Sequence, residues 1–208
     1  MKNRSDGSVV RSAIGFRQWI EKPPTVDEAR PSACPRCDAP SRPFGGAIQL
    51  HGHGLRERQV RGPGAPDEPE VTGGIEVKGR RYRCVLCRAV VLVVPSEVLP
   101  RRHFSASAIG LVLALWGLLQ ATARAVRARV SSAKELGFDA MRGWAAMRGW
   151  AKAVREGNLF ASVPRTDPSA TLREVAAVAA AALAARADPG SRHLPIEQRA
   201  FFGAAHAA

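Results

Sequence analysis

The sequence predicts an α+β protein in which a small β-rich module is followed by helices. Residues 34–100 hold two C-x-x-C pairs, many glycines and the β-branched run "RAVVLVVP", which are typical of short strands. From residue 105 onward, apolar residues recur at helical spacing. With 208 residues, the chain is long enough for one medium domain or two small ones.

Changes in composition predict the domain boundaries. The Pro-rich residues 1–33 are expected to form a loosely ordered segment ahead of the β module at 34–100. Residues 61–74, "RGPGAPDEPEVTGG", are expected to form a solvated loop inserted in that module. An all-α helix-turn-helix bundle is then expected at 105–157, because three helices are predicted there and the first is almost wholly apolar. After a linker, an Ala-rich C-terminal helical segment is expected at 168–208.

Four helices are predicted after the β module. Ser105 or Ser107 can cap the first, whose 12-residue apolar segment is shorter than the roughly 20 residues of a membrane span. Thr171 and Glu174 have the spacing of a capping box at the start of the fourth, Ala-rich helix. The predicted ranges are Ala108–Leu119, Ala121–Val130, Met141–Glu156 and Thr171–Ala187.

The four cysteines have the spacing of a metal site. "CPRC" holds Cys34 and Cys37, and "CVLC" holds Cys84 and Cys87. Each two-residue gap lets both sulfurs face one ion, and two such pairs complete the tetrahedral thiolate set of a structural zinc. No export signal is recognisable, so a reducing cytoplasm is expected, where cysteines bind metal more often than they form disulfides. Iron and unliganded core cysteines remain alternatives.

The stretch "HGHGLRERQV" raises a separate question about His51 and His53. On a strand, these two side chains would point to the same face. Because four thiolates already satisfy the metal, a structural or DNA-facing strand is the preferred interpretation, with a histidine replacing one cysteine as the alternative. Gly52 and Gly54 would then allow the backbone to approach the first C-x-x-C turn or a phosphate closely.

The charge balance favours a polyanionic partner. The formal net charge is +13, from 31 basic and 18 acidic residues. Basic side chains on the predicted elements are candidate DNA contacts, although each group could also be a solvated face. The candidates are Arg80, Arg81 and Arg83 before the second C-x-x-C pair, Arg124 and Arg127 on the second helix, and Arg142, Arg148, Lys152 and Arg155 on the third.

The order of motifs resembles a known family region. "CPRC", "HGHGLRERQVRG", "RRYRCVLC" and "GWAAMRGWAKAV" together resemble the N-terminal zinc-ribbon and helix-turn-helix region of bacterial insertion-sequence transposases over about residues 15 to 160. A bacterial family of stand-alone proteins has the same organisation. The resemblance implies one structural Zn²⁺ at the four cysteines and binding of double-stranded DNA by the helical part. In helix-turn-helix proteins the start of the recognition helix meets base edges, so Arg142 is the expected base contact and the other basic residues are expected to meet phosphates.

The chain departs from such transposases after Val154. Its remaining carboxylates lie in a linker and Ala-rich helices, without strands that could hold two metal ions; they are Glu156, Asp167, Glu174, Asp188 and Glu197. No Ser/His/Asp set or phosphate loop stands out either. We therefore expect a cytoplasmic, nucleoid-associated DNA-binding protein without enzymatic activity, membrane contact or small-molecule substrate. The alternative is a protein-interaction module that binds a separate transposase or another partner through the zinc ribbon.

Overall fold

The computed structural model describes residues 8–70, 74–132 and 144–207. It contains a four-stranded sheet and, in these ranges, six α-helices, which confirms the α+β fold class. The chain divides into two units. The first unit comprises Met1–Gln59 and Glu76–Pro100, and the second comprises Val60–Ile75 and Arg101–Ala208. The chain therefore passes between the units three times.

The sheet belongs to the first unit. Its strands are β1 (Ser8–Ser12), β2 (Leu50–Val60), β3 (Ile75–Cys84) and β4 (Val90–Pro95), arranged in the order β1-β4-β3-β2. β1 runs parallel to β4, and β3 pairs with β4 in the antiparallel sense. The β-branched side chains of β4 supply much of the core, where Val91, Val93 and Val94 are buried.

The N-terminal region differs from the prediction of a loosely ordered segment at 1–33. Within it, β1 completes the sheet and helix α1 (Phe16–Glu21) buries Trp19. The indole N–H of Trp19 donates a hydrogen bond to the carbonyl of Lys78 on β3 over 3.0 Å. The partners of this segment lie about 60 to 80 residues away along the chain, which is why its local composition gave no sign of its order.

The segment after α1 covers one face of β3. The phenol of Tyr82 donates to the Val26 carbonyl over 2.6 Å, and Arg80 Nε donates to the Pro24 carbonyl over 2.6 Å. The Arg30 guanidinium stacks on the Tyr82 ring at 5.7 Å and pairs with Asp27 at 2.7 Å. A Pro-rich stretch is thus fixed by polar contacts to the sheet.

The second unit is built from helices. They are α2 (Ala106–Leu113), which continues as a π-helical turn (Ala114–Leu118), α3 (Ala123–Val130), α4 (Ala145–Arg155), α5 (Leu172–Ala184) and α6 (Ile196–Ala207). The Ser105 hydroxyl accepts a hydrogen bond from the Ala108 N–H, so Ser105, and not Ser107, caps α2. Thr171 and Glu174 form the predicted capping box of α5. None of the helices described is long and apolar enough to cross a membrane.

Small residues let these helices approach closely. A methyl group on Gly110 of α2 would lie 2.6 Å from both the Ala200 carbonyl oxygen and the Ala204 Cβ of α6. Gly203 of α6 likewise abuts the Leu183 carbonyl of α5. The C-terminal helices, predicted as a separate segment at 168–208, therefore share a core with α2. An Ala-rich sequence does not indicate its packing partner, because alanine suits any close helix interface.

The loop at 61–74 also differs from its predicted solvated state. Its Glu70 carboxylate is buried, with 1% of the side chain exposed, and accepts from the Gly62 N–H at 3.0 Å and from Arg61 Nε at 3.2 Å. Arg129 of α3 donates to the carbonyls of Pro66 and Asp67. Residues 61–70 of the loop are thus held within the second unit by these hydrogen bonds.

An aromatic cluster anchors the start of α4. The rings of Phe104, Trp144 and Trp150 meet edge-to-face in every pairing, with centroids 5.1 to 5.6 Å apart. The Arg61 guanidinium lies 5.0 Å above the Phe104 ring. Trp144 and Trp150 are therefore both buried in the core of the second unit.

Candidate metal centre and basic surfaces

The fold brings the four cysteine sulfurs together. All four Sγ atoms lie within 4.8 Å of one another, and the Cys34–Cys87 and Cys37–Cys84 pairs are each 3.7 Å apart. The edges of a tetrahedron of sulfurs about 2.3 Å from a zinc ion would measure about 3.8 Å. The cysteines are free thiols. The predicted ligands thus form a group that could hold one metal ion, in agreement with a Zn²⁺ site.

The two cysteine pairs are presented by matching turns. The Cys34 N–H donates to the Ala39 carbonyl over 2.8 Å, and the Cys84 N–H donates to the Ala89 carbonyl over 3.0 Å. In each turn the residue after the second cysteine returns a hydrogen bond to the first cysteine's carbonyl. That residue is Asp38 in one turn and Arg88 in the other, and both have left-handed backbone, with φ of 56° and 62°. We call these turns the first and second knuckles.

The electrostatics of the four thiols favour a bound cation. Burial opposes ionisation of Cys84, but N–H groups of Cys87 and Leu86 point at its sulfur and lower the pKa of the thiol to about 7. At Cys37, a hydrogen bond from the Ala39 N–H favours the thiolate, yet burial and the three neighbouring sulfurs raise the pKa to about 12. One thiolate forms readily, whereas ionising several at such close range requires a positive charge among them.

His51 and His53 do not belong to the sulfur group. Both lie on β2, where their side chains are exposed. Gly52 between them packs on Val26, since a methyl group there would lie 2.8 Å from Val26 Cγ1. The close neighbour of Gly52 is thus Val26 and not a knuckle, and alternation along the strand directs both histidines to the other side.

The three arginines of β3 do not share one face. Arg80 lies on the same side as Tyr82, is half-buried and donates to the Pro24 carbonyl. Arg81 and Arg83 alternate onto the opposite side, where Arg83 is exposed and Arg81 is half-buried. Arg81 and Arg83 are consequently better placed than Arg80 to meet an external anion.

The helical candidates are mostly exposed. Arg148, Lys152 and Arg155 lie on the solvent side of α4, and Lys152 pairs with Glu156 at 3.7 Å. On α3, Arg124 is exposed and Arg127 is half-buried. Arg142, predicted to contact bases, lies outside the described residues, as does most of the connection between α3 and α4.

Sequence reasoning missed two features. The first is Glu70, because its hydrogen-bond partners beyond the loop are distant in sequence. The second is Phe44, which is fully exposed in a turn closed by a hydrogen bond from the Gly46 N–H to the Pro43 carbonyl. Gly45 is the third residue of this turn, where a positive φ favours glycine, so the glycines of "RPFGG" could have located the turn and Phe44 within it.

Comparison with known proteins adds no relative to this description. No protein-family model, no curated protein and no solved structure matches the chain.

Proposed function

We propose that this chain is a zinc-stabilised DNA-binding protein of the zinc-ribbon and helix-turn-helix type, transposase-derived or accessory to a transposon, that acts without a catalytic domain of its own. The exposed basic row on α4 is the observation that carries the proposal. Its setting would be the cytoplasm, in association with the nucleoid.

The metal would have a structural role. Cys34, Cys37, Cys84 and Cys87 would donate four thiolates to one Zn²⁺, and such a set fills the tetrahedral coordination of the ion. A filled coordination sphere offers no position for a water nucleophile or a substrate. The ion would instead hold the two knuckles together and so contribute to the folding free energy of the first unit.

Helix α4 would contact DNA. Its inner side buries Met147, Trp150 and Ala151, so the opposite side, with Arg148, Lys152 and Arg155, is held outward. Three cations spaced along about two turns of helix can meet successive phosphates of one strand. The Lys152–Glu156 pair is exposed and contributes little energy, so a phosphate can replace the carboxylate.

The carboxylates after Val154 support a non-catalytic role. Asp167 accepts hydrogen bonds from Ser169, Glu174 completes the cap of α5, and Asp188 caps the short 3₁₀ helix Pro189–Ser191. These groups are engaged at helix starts and turns. Three of the five carboxylates after Val154 thus have a structural role, while Glu156 pairs with Lys152 and Glu197 lies in the first turn of α6.

Duplex selection followed by affinity measurement tests the proposal. Sequences bound by the zinc-loaded chain would be selected from a random duplex pool, and the affinity of one selected duplex would be measured by fluorescence anisotropy across salt concentrations. A variant with Arg148→Ala, Lys152→Ala and Arg155→Ala should bind more weakly and show a smaller salt dependence, by about one unit of logarithmic slope for each phosphate that α4 can no longer neutralise.

A matched variant controls for net charge. Arg101→Ala, Arg165→Ala and Arg192→Ala together remove three exposed cations of the same unit that lie outside α4. The proposal requires this control to bind nearly as the unmodified chain does. Equal losses in both variants would attribute binding to overall charge, and no binding to any duplex would contradict the proposal.

A further inference from the structure

Large apolar side chains are exposed around the candidate metal centre. Phe44 is fully exposed, Leu86 is 65% exposed and Val85 is 46% exposed. Val85 and Leu86 form the apex of the second knuckle, between Cys84 and Cys87. Apolar side chains that cluster at one end of a unit indicate a contact surface more strongly than side chains scattered singly.

Backbone hydrogen bonds tie the Phe44 turn to this knuckle. The Gln49 N–H donates to the Ser41 carbonyl over 2.9 Å, which closes a loop with Phe44 near its middle. The Gln49 carbonyl accepts from the Val85 N–H over 2.9 Å. At the apex Gly45 has φ of 67°, a conformation that favours glycine and turns the chain sharply beside Phe44.

Each knuckle also carries an exposed arginine. Arg36 precedes Cys37 in the first knuckle, Arg88 follows Cys87 in the second, and both arginines are exposed. The sulfurs lie within 4.8 Å of one another, so the two knuckles meet at the metal centre; the first knuckle also has an exposed carboxylate, Asp38. We call Arg36, Phe44, Val85, Leu86 and Arg88 the metal-end tip.

We propose that the metal-end tip binds unpaired nucleotides, with Phe44 stacked on a base and Arg36 and Arg88 against the flanking phosphates. The inference rests on the proposed function, because it assumes a nucleic-acid partner, and it adds a second contact with a different substrate form. Helix α4 would meet paired DNA, whereas the tip would meet a single-stranded or melted segment.

Chemistry favours this occupant over the alternatives. Bases that lie inside a duplex offer no free face to an aromatic ring, whereas an unpaired base does. The tip presents an aromatic ring at a turn apex with arginines in both knuckles, which matches the aromatic and basic composition of single-strand sites. The chain's net charge of +13 favours a polyanion over a protein partner of mixed charge.

The test compares two probes on the zinc-loaded full-length chain. One is a labelled duplex with a gap of unpaired thymidines, and the other is the same duplex fully paired. Phe44→Ala should weaken binding of the gapped probe about fivefold or more, the loss expected for one stacked base, and leave binding of the paired probe unchanged. Phe44→Trp should retain the gapped-probe affinity, since it preserves the stacking face.

Phe202→Ala is the matched control, because Phe202 of α6 is also exposed but lies in the second unit. Zinc content and circular dichroism establish that each variant is folded. The inference is overturned if Phe44→Ala binds the gapped probe as the unmodified chain does, or loses affinity equally for both probes. The α4 triple variant, measured with the same probes, separates the two proposals. Its affinity for the paired probe tests whether α4 binds duplex DNA, and this result does not depend on the result for Phe44→Ala.

Discussion

The Glu70 carboxylate accepts two hydrogen bonds from Ser132, one from the Ser132 backbone N–H at 2.5 Å and one from the Ser132 hydroxyl at 2.9 Å. Because Glu70 also accepts from Gly62 and Arg61, one buried carboxylate joins the loop after β2 to the residue just beyond α3. The segment that leads to Arg142 begins at this point. Glu70 therefore holds Ser132, the last described residue before that segment, in place.

Glu70→Gln should destabilise the second unit. The amide keeps the size of the side chain but removes the charge and two acceptor sites, and hydrogen bonds to buried charged groups are strong. We expect the free energy of unfolding to fall by about 2 kcal/mol, measured by urea denaturation. Glu68→Gln in the same loop is the control, because Glu68 is exposed.

The effect of Glu70→Gln should depend on pH. Burial raises the pKa of Glu70, but hydrogen bonds from Ser132 and Gly62 and the charge of Arg61 outweigh it, and the pKa is lowered. The carboxylate's contribution is therefore complete above its unfolded pKa of about 4.3 and is lost as pH falls through the lower folded value. If the difference in unfolding free energy between the unmodified protein and Glu70→Gln instead grows as the pH falls, the lowered pKa of Glu70 is contradicted.

Arg88 should show the cost of a left-handed residue in a knuckle. An L-residue there costs about 1 to 2 kcal/mol relative to right-handed backbone, glycine avoids this cost, and a β-branched residue tolerates the conformation least. We expect metal affinity to follow the order Arg88→Gly, then unmodified, then Arg88→Val, measured by competition with a chelator. Arg36→Gly, in the first knuckle, should not increase affinity.

The thiolates should account for all tightly bound metal. Cys84→Ser should reduce metal content from one ion per chain to well below one and eliminate the sulfur-to-metal charge-transfer absorption of the cobalt-substituted protein. His51→Ala should leave both unchanged, because His51 lies outside the sulfur group. Metal retained in Cys84→Ser but lost in His51→Ala would establish a histidine ligand instead.

Two glycines should respond oppositely to alanine. Gly203→Ala would press a methyl group against the Leu183 carbonyl, and overpacking of this kind costs about 1 to 3 kcal/mol. A methyl group on Gly149, in α4, would have open space within 4 Å, so Gly149→Ala should gain up to about 1 kcal/mol of helix propensity. Thermal unfolding of both variants measures the two changes in stability. Changes of the same sign in Gly203→Ala and Gly149→Ala would contradict this prediction.

Local signals in the sequence predicted local structure well. The Thr171–Glu174 capping box involves atoms only three residues apart, and the structure contains it. The cysteine spacing likewise identified a group that could hold a metal ion, because each C-x-x-C pair forms its own turn. The α+β class followed from periodicity, which each segment expresses independently of its neighbours.

Features that depend on distant partners could not be predicted in this way. The predicted helix Ala108–Leu119 ends in a π-helical turn, where Gly117 packs against the backbone of Ala176 and Ala177 in α5. β1 pairs with a strand some 80 residues later. In both cases the contact that determines the local structure comes from a distant part of the chain, so a short stretch of sequence does not contain the residue that makes it.

The three passages of the chain between the units have a consequence for dissecting the protein. Residues 60–75 belong with the helices although they connect two strands of the sheet. A fragment starting at Arg101 would contain every described helix of the second unit but lack the buried Glu70 that satisfies Ser132. The units therefore cannot be separated by one cut, and neither can be exchanged between proteins as a simple cassette.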